Sequence, residues 1–376
     1  MTDRIRDFLR RHRPDGPCLV VDLDVVRSNY LAFERAMPDS KIFYAVKANP
    51  APEILKLLAK LGSNFDCASV QEIDMALAAG ASPERISFGN TIKKERDVAA
   101  AFARGVSLFA VDCEAEVDKV ARQAPGTRVF CRILCDGEGA EWALSRKFGC
   151  EPDMAVGVLE HAHRQGLRAY GVSFHVGSQQ KNPHAWDEAL ASAADIFRTL
   201  SDCGIELKMV NLGGGFATKY LEEIPGEGEY GRAINASIRS HFGNRIPETI
   251  IEPGRGMVGN AGVIKSEVIL VSRKAKDDIR WVYLDIGKFN GLAETMDEAI
   301  RYPIEAVGRE DDVVAPVVLA GPTCDSVDVM YEKKPYPLPI SLEIGDELLI
   351  GGTGAYTTTY ASVAFNGFPP LQSFVI

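Results

Sequence analysis

Four side chains with reactive or charged ends each stand just after a short apolar run. Lys47 closes FYAVK, His175 follows YGVSF, and Glu252 and Arg255 belong to EPGR. A lysine amine can form a Schiff base with an aldehyde, most easily when its surroundings lower its pKa. A glutamate could hold an aromatic nitrogen protonated, and an arginine could bind a phosphate. These residue types suggest a bound molecule that carries a phosphate and an aromatic ring nitrogen.

A run of three glycines, Gly213, Gly214 and Gly215, adds a candidate phosphate site. Backbone N–H groups in such a turn can approach a phosphate closely because no Cβ intervenes. Gly254 and Arg255 could complete this cradle from the neighbouring strand. Together with the lysine and the glutamate, the cradle describes pyridoxal 5′-phosphate, a cofactor that works as an electron sink.

Each of these features also has an ordinary structural explanation. A lysine after a strand is more often a solvated surface charge, and three glycines are usually a tight turn. A histidine in an apolar strand is more often a satisfied core residue, and Glu252 and Arg255 could form a local ion pair. The cofactor hypothesis therefore depends on the elements that would bring these residues together.

Short β-branched or aromatic runs alternate with helical patterns up to about residue 260. The predicted strands are 41–47, 64–69, 86–90, 108–112, 128–133, 170–177, 208–215 and 249–255. Eight strands separated by helices predict a (β/α)8 barrel. A doubly wound open sheet is the alternative, but no glycine-rich phosphate motif follows the first strand. Because barrel enzymes collect functional residues at the C-terminal ends of strands, Asp66, Arg132 and Ser178 join the candidates.

From about residue 262 the alternation with helices stops. The runs that follow predict a mainly antiparallel β domain, with strands at 263–272, 280–286, 313–321 and 346–352. An early strand at 18–23 could join it. We therefore predict a cofactor-binding barrel over residues 22–261 and a β domain formed by residues 1–21 and 262–376. We interpret the charged segment 1–17 as a frayed terminus.

Composition excludes several classes of protein. The 376 residues include 42 basic and 52 acidic side chains, a net charge of −10 that disfavours nucleic-acid binding. No apolar run approaches the roughly 18 residues that span a membrane, and the N-terminus lacks the apolar centre of a signal peptide. We therefore expect a cytoplasmic protein without a membrane partner. The eight cysteines are scattered without a CxxC pair, so we predict no metal site and mostly buried thiols.

Seven motifs in one order carry a resemblance to a known family: FYAVKANP, FDCAS, HVGSQ, LGGGF, EPGR, GPTCDSVD and GAYT. The chain resembles the basic amino-acid decarboxylases with the alanine-racemase-like fold, and the ornithine decarboxylases most closely, over roughly residues 18 to 370. The resemblance implies that Lys47 binds pyridoxal 5′-phosphate, that His175 stacks on its ring and that Glu252 pairs with its ring nitrogen. It also implies further residues that hold the phosphate or brace the site, namely Gly215, Gly254, Ser178, Tyr356, Asp66, Glu72 and Arg132.

The same resemblance implies a homodimer whose subunits share their active sites. Cys324 would direct reprotonation of the substrate's α-carbon in the partner's site, and Asp325 would bind the distal amine. Lys147 and Asp328 match a salt bridge between subunits in the family. All four residues lie in motifs or at spacings of the family pattern.

The resemblance leaves the substrate open. We expect L-ornithine, giving putrescine for polyamine biosynthesis, or ornithine and lysine both, and less readily arginine. The segment 291–303 occupies the place of the family's specificity helix, with Asp297 aligned to a second amine-binding aspartate and Glu294 one turn away. The motif CDS disfavours diaminopimelate decarboxylase, which typically has CES. A non-catalytic regulatory protein would be expected to lack the lysine, the cradle or the Cys–Asp pair, and all three are present.

Overall fold

The structure of the protein is a computed structural model, which describes residues 1–135, 137, 139–142, 146–276 and 278–376. The chain divides into two compact units. The barrel unit comprises Arg27–Ala217 and Ile224–Met257, and the β unit comprises Met1–Val26, Thr218–Glu223 and Val258–Ile376. These bounds differ from the predicted 22–261 because residues 22–26, 218–223 and 258–261 group with the β unit.

The α-helices are α1 (Asp3–His12), α2 (Leu23–Ala36), α3 (Pro52–Leu61), α4 (Val70–Ala78), α5 (Glu95–Ala103), α6 (Glu114–Gln123), α7 (Pro152–Arg164), α8 (Asp187–Asp202), α9 (Glu227–Phe242) and α10 (Arg255–Val258). The strands are β1 (Cys18–Val21), β2 (Ser40–Ala45), β3 (Asn64–Cys67), β4 (Ile86–Phe88), β5 (Leu108–Val111), β6 (Arg128–Arg132), β7 (Ala140–Trp142), β8 (Arg168–Ser173), β9 (Ser178–Gln180), β10 (Met209–Asn211), β11 (Glu248–Ile251), β12 (Gly262–Arg273), β13 (Arg280–Leu284), β14 (Ile304–Ala306), β15 (Val314–Ala320), β16 (Val329–Met330), β17 (Tyr336–Pro339), β18 (Glu347–Gly351) and β19 (Gln372–Val375).

Eight parallel strands close the barrel in the order β10-β11-β2-β3-β4-β5-β6-β8. This ring confirms the predicted (β/α)8 barrel and excludes the open sheet. Apolar side chains from the strands form one buried cluster, which comprises Phe43, Leu108, Ala110, Phe130, Met209 and Ile250. Burial of such a cluster is the main favourable contribution to folding of the ring.

All eight predicted barrel strands end one to four residues earlier than expected. The strand predicted at 41–47 ends at Ala45, the one at 170–177 ends at Ser173, and the one at 208–215 ends at Asn211. Positive φ angles at glycines contribute to this early end, as at Gly213, where φ is 67°. Lys47, His175 and Glu252 therefore lie on short loops just beyond the strands, whereas Asp66 and Arg132 lie within β3 and β6.

The β unit contains a nine-stranded sheet whose central path is β14-β18-β12-β13-β15-β16. Most of its pairs are antiparallel, as predicted, but β13 pairs with β15 and β1 pairs with β19 in parallel. The early strand β1 does join this sheet, because it pairs antiparallel with β12 at Cys18 and Lys265. The mainly antiparallel β domain is thus confirmed.

The interpretation of segment 1–17 as a frayed terminus was wrong. Residues Asp3–His12 form α1, whose Ile5 and Leu9 are buried against Cys18, Val20, Val263 and Leu349. Ile5 and Leu9 are one helical turn apart, so they share a face despite the many charges around them. The segment is a docked amphipathic helix.

The remaining expectations concern thiols, metals and membranes. All eight cysteines are free thiols, and Cys18, Cys67, Cys131 and Cys150 are buried, so buried thiols make up half of them rather than most. Among the described residues, no group of three or more His, Cys, Asp or Glu side chains could hold a metal ion. In that same part of the chain, no helix is both long and apolar enough to cross a membrane.

The docking of α1 can be tested with Leu9→Ala. We expect a loss of about 2–4 kcal/mol in the stability of the β unit, because the change removes buried methyl groups and leaves a cavity. Differential scanning calorimetry would measure it, with Arg11→Ala as a control on the exposed face of the same helix. Equal melting temperatures for the two variants would contradict the docked helix.

Candidate active site

Lys47 lies at the mouth of the barrel beside a buried carboxylate. After β2 the chain makes a short 3-10 turn over Val46–Ala48, so the lysine follows the strand rather than ending it. Its Nζ lies 3.3 Å from Oδ2 of Asp66, at the end of β3. The hydroxyl of Tyr44 donates to the carbonyl of Asn49 and ties down the turn. The ammonium is therefore held near the barrel mouth with its side chain half exposed.

Asp66 is held in turn by the neighbouring strand β4. The Ser87 hydroxyl donates to Oδ1 of Asp66 over 3.3 Å. A Cβ on Gly89 would lie only 1.8 Å from that same oxygen, so this position admits only glycine while Asp66 stays in place. Our sequence analysis missed Gly89, for which a glycine closing an apolar strand was the available signal.

Glu252 lies just beyond β11 and is oriented by Asn211 of β10. The Asn211 amide donates to Oε1 of Glu252 at 2.5 Å, and its carbonyl oxygen accepts the Gly213 N–H at 2.9 Å. Burial raises the pKa of Glu252 to about 7, with a further increase from Asp66 and opposing effects from Lys47, Asn211 and Arg132. Sequence analysis also missed Asn211, a polar residue inside the apolar run KMVNL.

The His175 imidazole is held as a neutral ring. Its Nδ1 accepts the backbone N–H of Gly177 at 3.0 Å, which places the proton of the neutral ring on Nε2. Burial lowers the pKa of His175 to about 3, and the positive charges of Arg132 and Lys47 lower it further. At neutral pH this histidine is therefore suited to stacking or hydrogen bonding rather than to carrying a charge.

The three glycines form a turn that other residues could not make. A Cβ on Gly213 would lie 2.1 Å from the carbonyl oxygen of Phe174, and one on Gly215 would lie 2.7 Å from that of Gly177. At Gly214 the Cβ would approach the Glu252 carbonyl oxygen to 2.8 Å and His175 Nε2 to 3.2 Å. The backbone of this turn thus packs directly against the loops that carry His175 and Glu252.

A guanidinium and a hydroxyl lie beside the glycine turn. Arg255 is 4% exposed, and its Nε and Nη2 lie 3.4 Å and 3.3 Å from Oγ of Ser178. The Gln180 N–H donates to the Gly215 carbonyl at 2.8 Å, which joins strand β9 to the turn. Gly254 immediately precedes this arginine, and its carbonyl accepts the Met257 N–H. Bare backbone, hydroxyl and guanidinium are the groups that bind a phosphate.

Two further predicted residues of the barrel unit have local roles in the structure. Arg132 ends β6, and its guanidinium lies 5.6 Å from the centroid of the Phe148 ring. Glu72 stands in the first turn of α4, where its carboxylate accepts the Ala68 N–H at 2.7 Å, while its own N–H donates to Ser69. Ser69 therefore caps α4, and Glu72 fixes the backbone just before this cap.

The other predicted site residues belong to the β unit. Cys324 is exposed and Asp325 is half-buried in the turn between β15 and β16, and the Asp325 carboxylate accepts the Val327 N–H. Asp297 has a side chain 94% exposed, 3.4 Å from Lys333 Nζ, whereas Glu294 is buried. Tyr356 adopts a left-handed backbone conformation with φ of 55°.

Comparison with known proteins agrees with this geometry. A family model described as "Pyridoxal-dependent decarboxylase, pyridoxal binding domain" matches residues 23–259. The chain belongs to this family. A lysine/ornithine decarboxylase of Selenomonas ruminantium is 35% identical over 354 residues, covering 94% of this chain and 87% of that protein. The ornithine decarboxylase of Schizosaccharomyces pombe is 32% identical over 360 residues, covering 93% and 81%.

Solved structures show the same fold. The arginine decarboxylase of the Paramecium bursaria Chlorella virus superposes with a TM-score of 0.91 at 29% identity, covering 100% of both chains. This decarboxylase is therefore a pyridoxal 5′-phosphate enzyme with the alanine-racemase-like fold, acting on a basic amino acid. The residues of the barrel unit fit this cofactor. They offer the Lys47 amine, the Glu252 carboxyl with its pKa raised to about 7, and a glycine turn whose free space any Cβ would fill.

The tightness of the glycine turn predicts the effect of Gly214→Ala. The added methyl group meets the Glu252 carbonyl and His175, so we expect the Kd for pyridoxal 5′-phosphate to rise at least tenfold. Equilibrium dialysis of the cofactor would measure it. Gly226→Ala is the matched control, because nothing lies within 4 Å of its Cβ. Equal affinities for the two variants would overturn the assignment of this turn.

The raised pKa of Glu252 predicts a pH-dependent stability of the cofactor-free protein. Between its ordinary value of 4.5 and about 7, the folded protein holds a proton that the unfolded chain releases. Stability is therefore lost as pH rises through this window, by about 1–3 kcal/mol. Glu252→Gln lacks this loss, so its melting temperature relative to the wild type should increase from pH 5 to pH 8.

Glu53→Gln, which changes an exposed carboxylate on α3, controls for the removal of one negative charge. Thermal melts at half-unit pH intervals would compare the three proteins. If the difference between Glu252→Gln and wild type stayed constant across the window, Glu252 would not titrate near neutrality.

Proposed function

We propose that this decarboxylase converts L-ornithine to putrescine and CO2. The observation that carries the substrate assignment is the half-buried carboxylate of Asp325, next to the exposed thiol of Cys324 in one turn. An anion at this position suits a substrate whose distal end is an ammonium group. The names of the Selenomonas and Schizosaccharomyces relatives, which include ornithine, support the same choice.

We assign the following roles in the barrel unit. Lys47 would hold the cofactor through its amine. Glu252, which titrates near neutrality and is oriented by Asn211, keeps a proton at the ring nitrogen. The bound cofactor supplies an electron sink for the electrons left at the α-carbon when CO2 departs.

Other residues would position the cofactor and brace the site. The neutral His175 ring would stack on the cofactor ring without adding a charge. Ser178, Arg255 and the glycine turn hold the phosphate, with Tyr356 and Gly254 alongside. Asp66 and Arg132 brace the site through their charges on Lys47 and Glu252.

We further propose that the enzyme is a homodimer whose sites are shared between subunits. Cys324 would pass a proton to the substrate's α-carbon in the partner's site, and Asp325 would bind the distal amine. In the single chain Cys324 is exposed and Asp325 is partly exposed, as this role requires.

Dual activity on ornithine and lysine is the second candidate. It is favoured by the 35% identity to a relative named for both substrates. The Asp297 side chain is exposed, and its carboxylate lies 3.4 Å from Lys333 Nζ. This carboxylate can therefore change position to meet the distal ammonium group of a longer substrate. Diaminopimelate is disfavoured because its distal carboxylate would meet Asp325 with like charge.

A competition assay tests the substrate. The cofactor-loaded enzyme would receive ornithine, lysine, arginine and meso-diaminopimelate at equal concentration, and mass spectrometry would quantify the amines. We expect putrescine to dominate and Asp325→Asn to lower kcat/KM for ornithine about 10–100-fold, because a charge-assisted contact is lost. Asp297→Asn makes the same substitution as Asp325→Asn at the second candidate carboxylate, and it should change the ratio of putrescine to cadaverine.

Each outcome separates the candidates. Cadaverine in comparable yield would establish dual activity. Agmatine as the main product would refute both. A wild-type protein that binds the cofactor but releases no amine would favour the non-catalytic alternative.

A further inference from the structure

The turn that carries Cys324 and Asp325 closes over a buried carboxylate, Asp328. This turn spans residues 321–328 and joins β15 to the short antiparallel strand β16. Asp328 is 2% exposed and stands at the end of the turn. Its backbone closes the turn, since its carbonyl accepts the Gly321 N–H and its N–H donates to the Asp325 carbonyl.

The Asp328 carboxylate joins this turn to the adjacent strand end. Oδ2 accepts the Thr323 hydroxyl at 2.7 Å and the Thr323 N–H at 3.2 Å, and Oδ1 accepts the Lys288 N–H at 2.8 Å. Lys288 follows β13, which lies parallel to β15. The carboxylate therefore ties the ends of two neighbouring strands together.

Two glycines make room for this carboxylate. A Cβ on Gly287 would lie 2.2 Å from Oδ1, and one on Gly321 would lie 2.3 Å from both carboxylate oxygens. Among the described residues, no lysine, arginine or histidine nitrogen lies within 4.0 Å of it. The buried charge is thus stabilised within the chain by N–H and O–H dipoles alone, and losing one of them leaves an unsatisfied charge.

We propose that Asp328 is a positioning residue whose carboxylate sets the geometry of the turn that presents Cys324 and Asp325. It acts through Thr323 and Lys288 of its own chain. Any salt bridge to Lys147 of a partner is secondary to this role. The consequence for catalysis depends on the roles proposed above for Cys324 and Asp325, whereas the effect on the turn does not.

The first test measures the turn itself in the cofactor-loaded enzyme. Asp328→Asn keeps the shape but turns an NH2 group toward an N–H donor, so hydrogen exchange of peptides covering 286–290 and 321–328 should quicken about tenfold. Thr323→Val, which removes one donor and leaves the carboxylate, should give a smaller increase in 321–328. Asp285→Asn is the matched control, because that carboxylate accepts Ser266 and Glu267 instead.

The second test measures function. Asp328→Asn should lower kcat about tenfold and leave the Kd for pyridoxal 5′-phosphate unchanged. Like Cys324→Ala, it should also raise the ratio of carbonyl by-product to amine, because a proton that misses the α-carbon leaves the amino group on the cofactor and water releases the rest as a carbonyl compound. Lys147→Met should not reproduce the faster exchange. If Lys147→Met matches Asp328→Asn in exchange and both dissociate the dimer, the intersubunit salt bridge is the main role and our proposal is wrong.

The two proposals fail separately. Unchanged exchange in both Asp328→Asn and Thr323→Val would overturn the positioning role whatever the substrate. Faster exchange in an enzyme that decarboxylates none of the offered amino acids would support the positioning role and reject the proposed function.

Discussion

Closure of eight parallel strands into one ring places the C-terminal ends of all the strands at the same rim. The candidate active site depends on that constraint. Lys47 and Glu252 follow β2 and β11, and Asp66 lies near the end of β3, so residues that are separated in sequence meet at three adjacent strands. The 3.3 Å approach of Lys47 to Asp66 is a direct result of that adjacency. The helices account for the separation in sequence between neighbouring strands, and the buried core of the barrel holds the ring closed.

Burial at this rim acts on two titratable groups in opposite directions. It raises the pKa of Glu252 to about 7 and lowers that of His175 to about 3, because in both cases it disfavours the charged form. The site therefore favours neutral His175 and partly neutral Glu252 at pH 7. A positively charged ring nitrogen would stabilise the Glu252 carboxylate, which explains how cofactor binding and ionisation can be coupled there.

Glycine serves the same purpose in both units, namely close approach of backbone to a functional carboxylate or loop. Gly89 lies against Asp66 and Gly214 against Glu252 in the barrel unit. Gly287 and Gly321 lie against Asp328 in the β unit. Except for Gly321, which shares its turn with Asp328, each glycine is distant in sequence from the group it accommodates, so a substitution would act on a residue that it does not adjoin in the chain.

The sequence alone determined the architecture and most of the candidate residues. Alternating strands and helices predicted the barrel, and LGGGF and EPGR predicted a phosphate cradle, because these signals are local and periodic. Three features were decided only by the tertiary structure. They are the docking of α1, the orientation of Glu252 by Asn211, and the hydrogen bonds by which Asp328 joins two strand ends. Asn211 and Glu252 are 41 residues apart, and no local pattern shows that an amide will face a carboxylate across two strands. Such pairs depend on strand order and register, which exist only after the ring has closed.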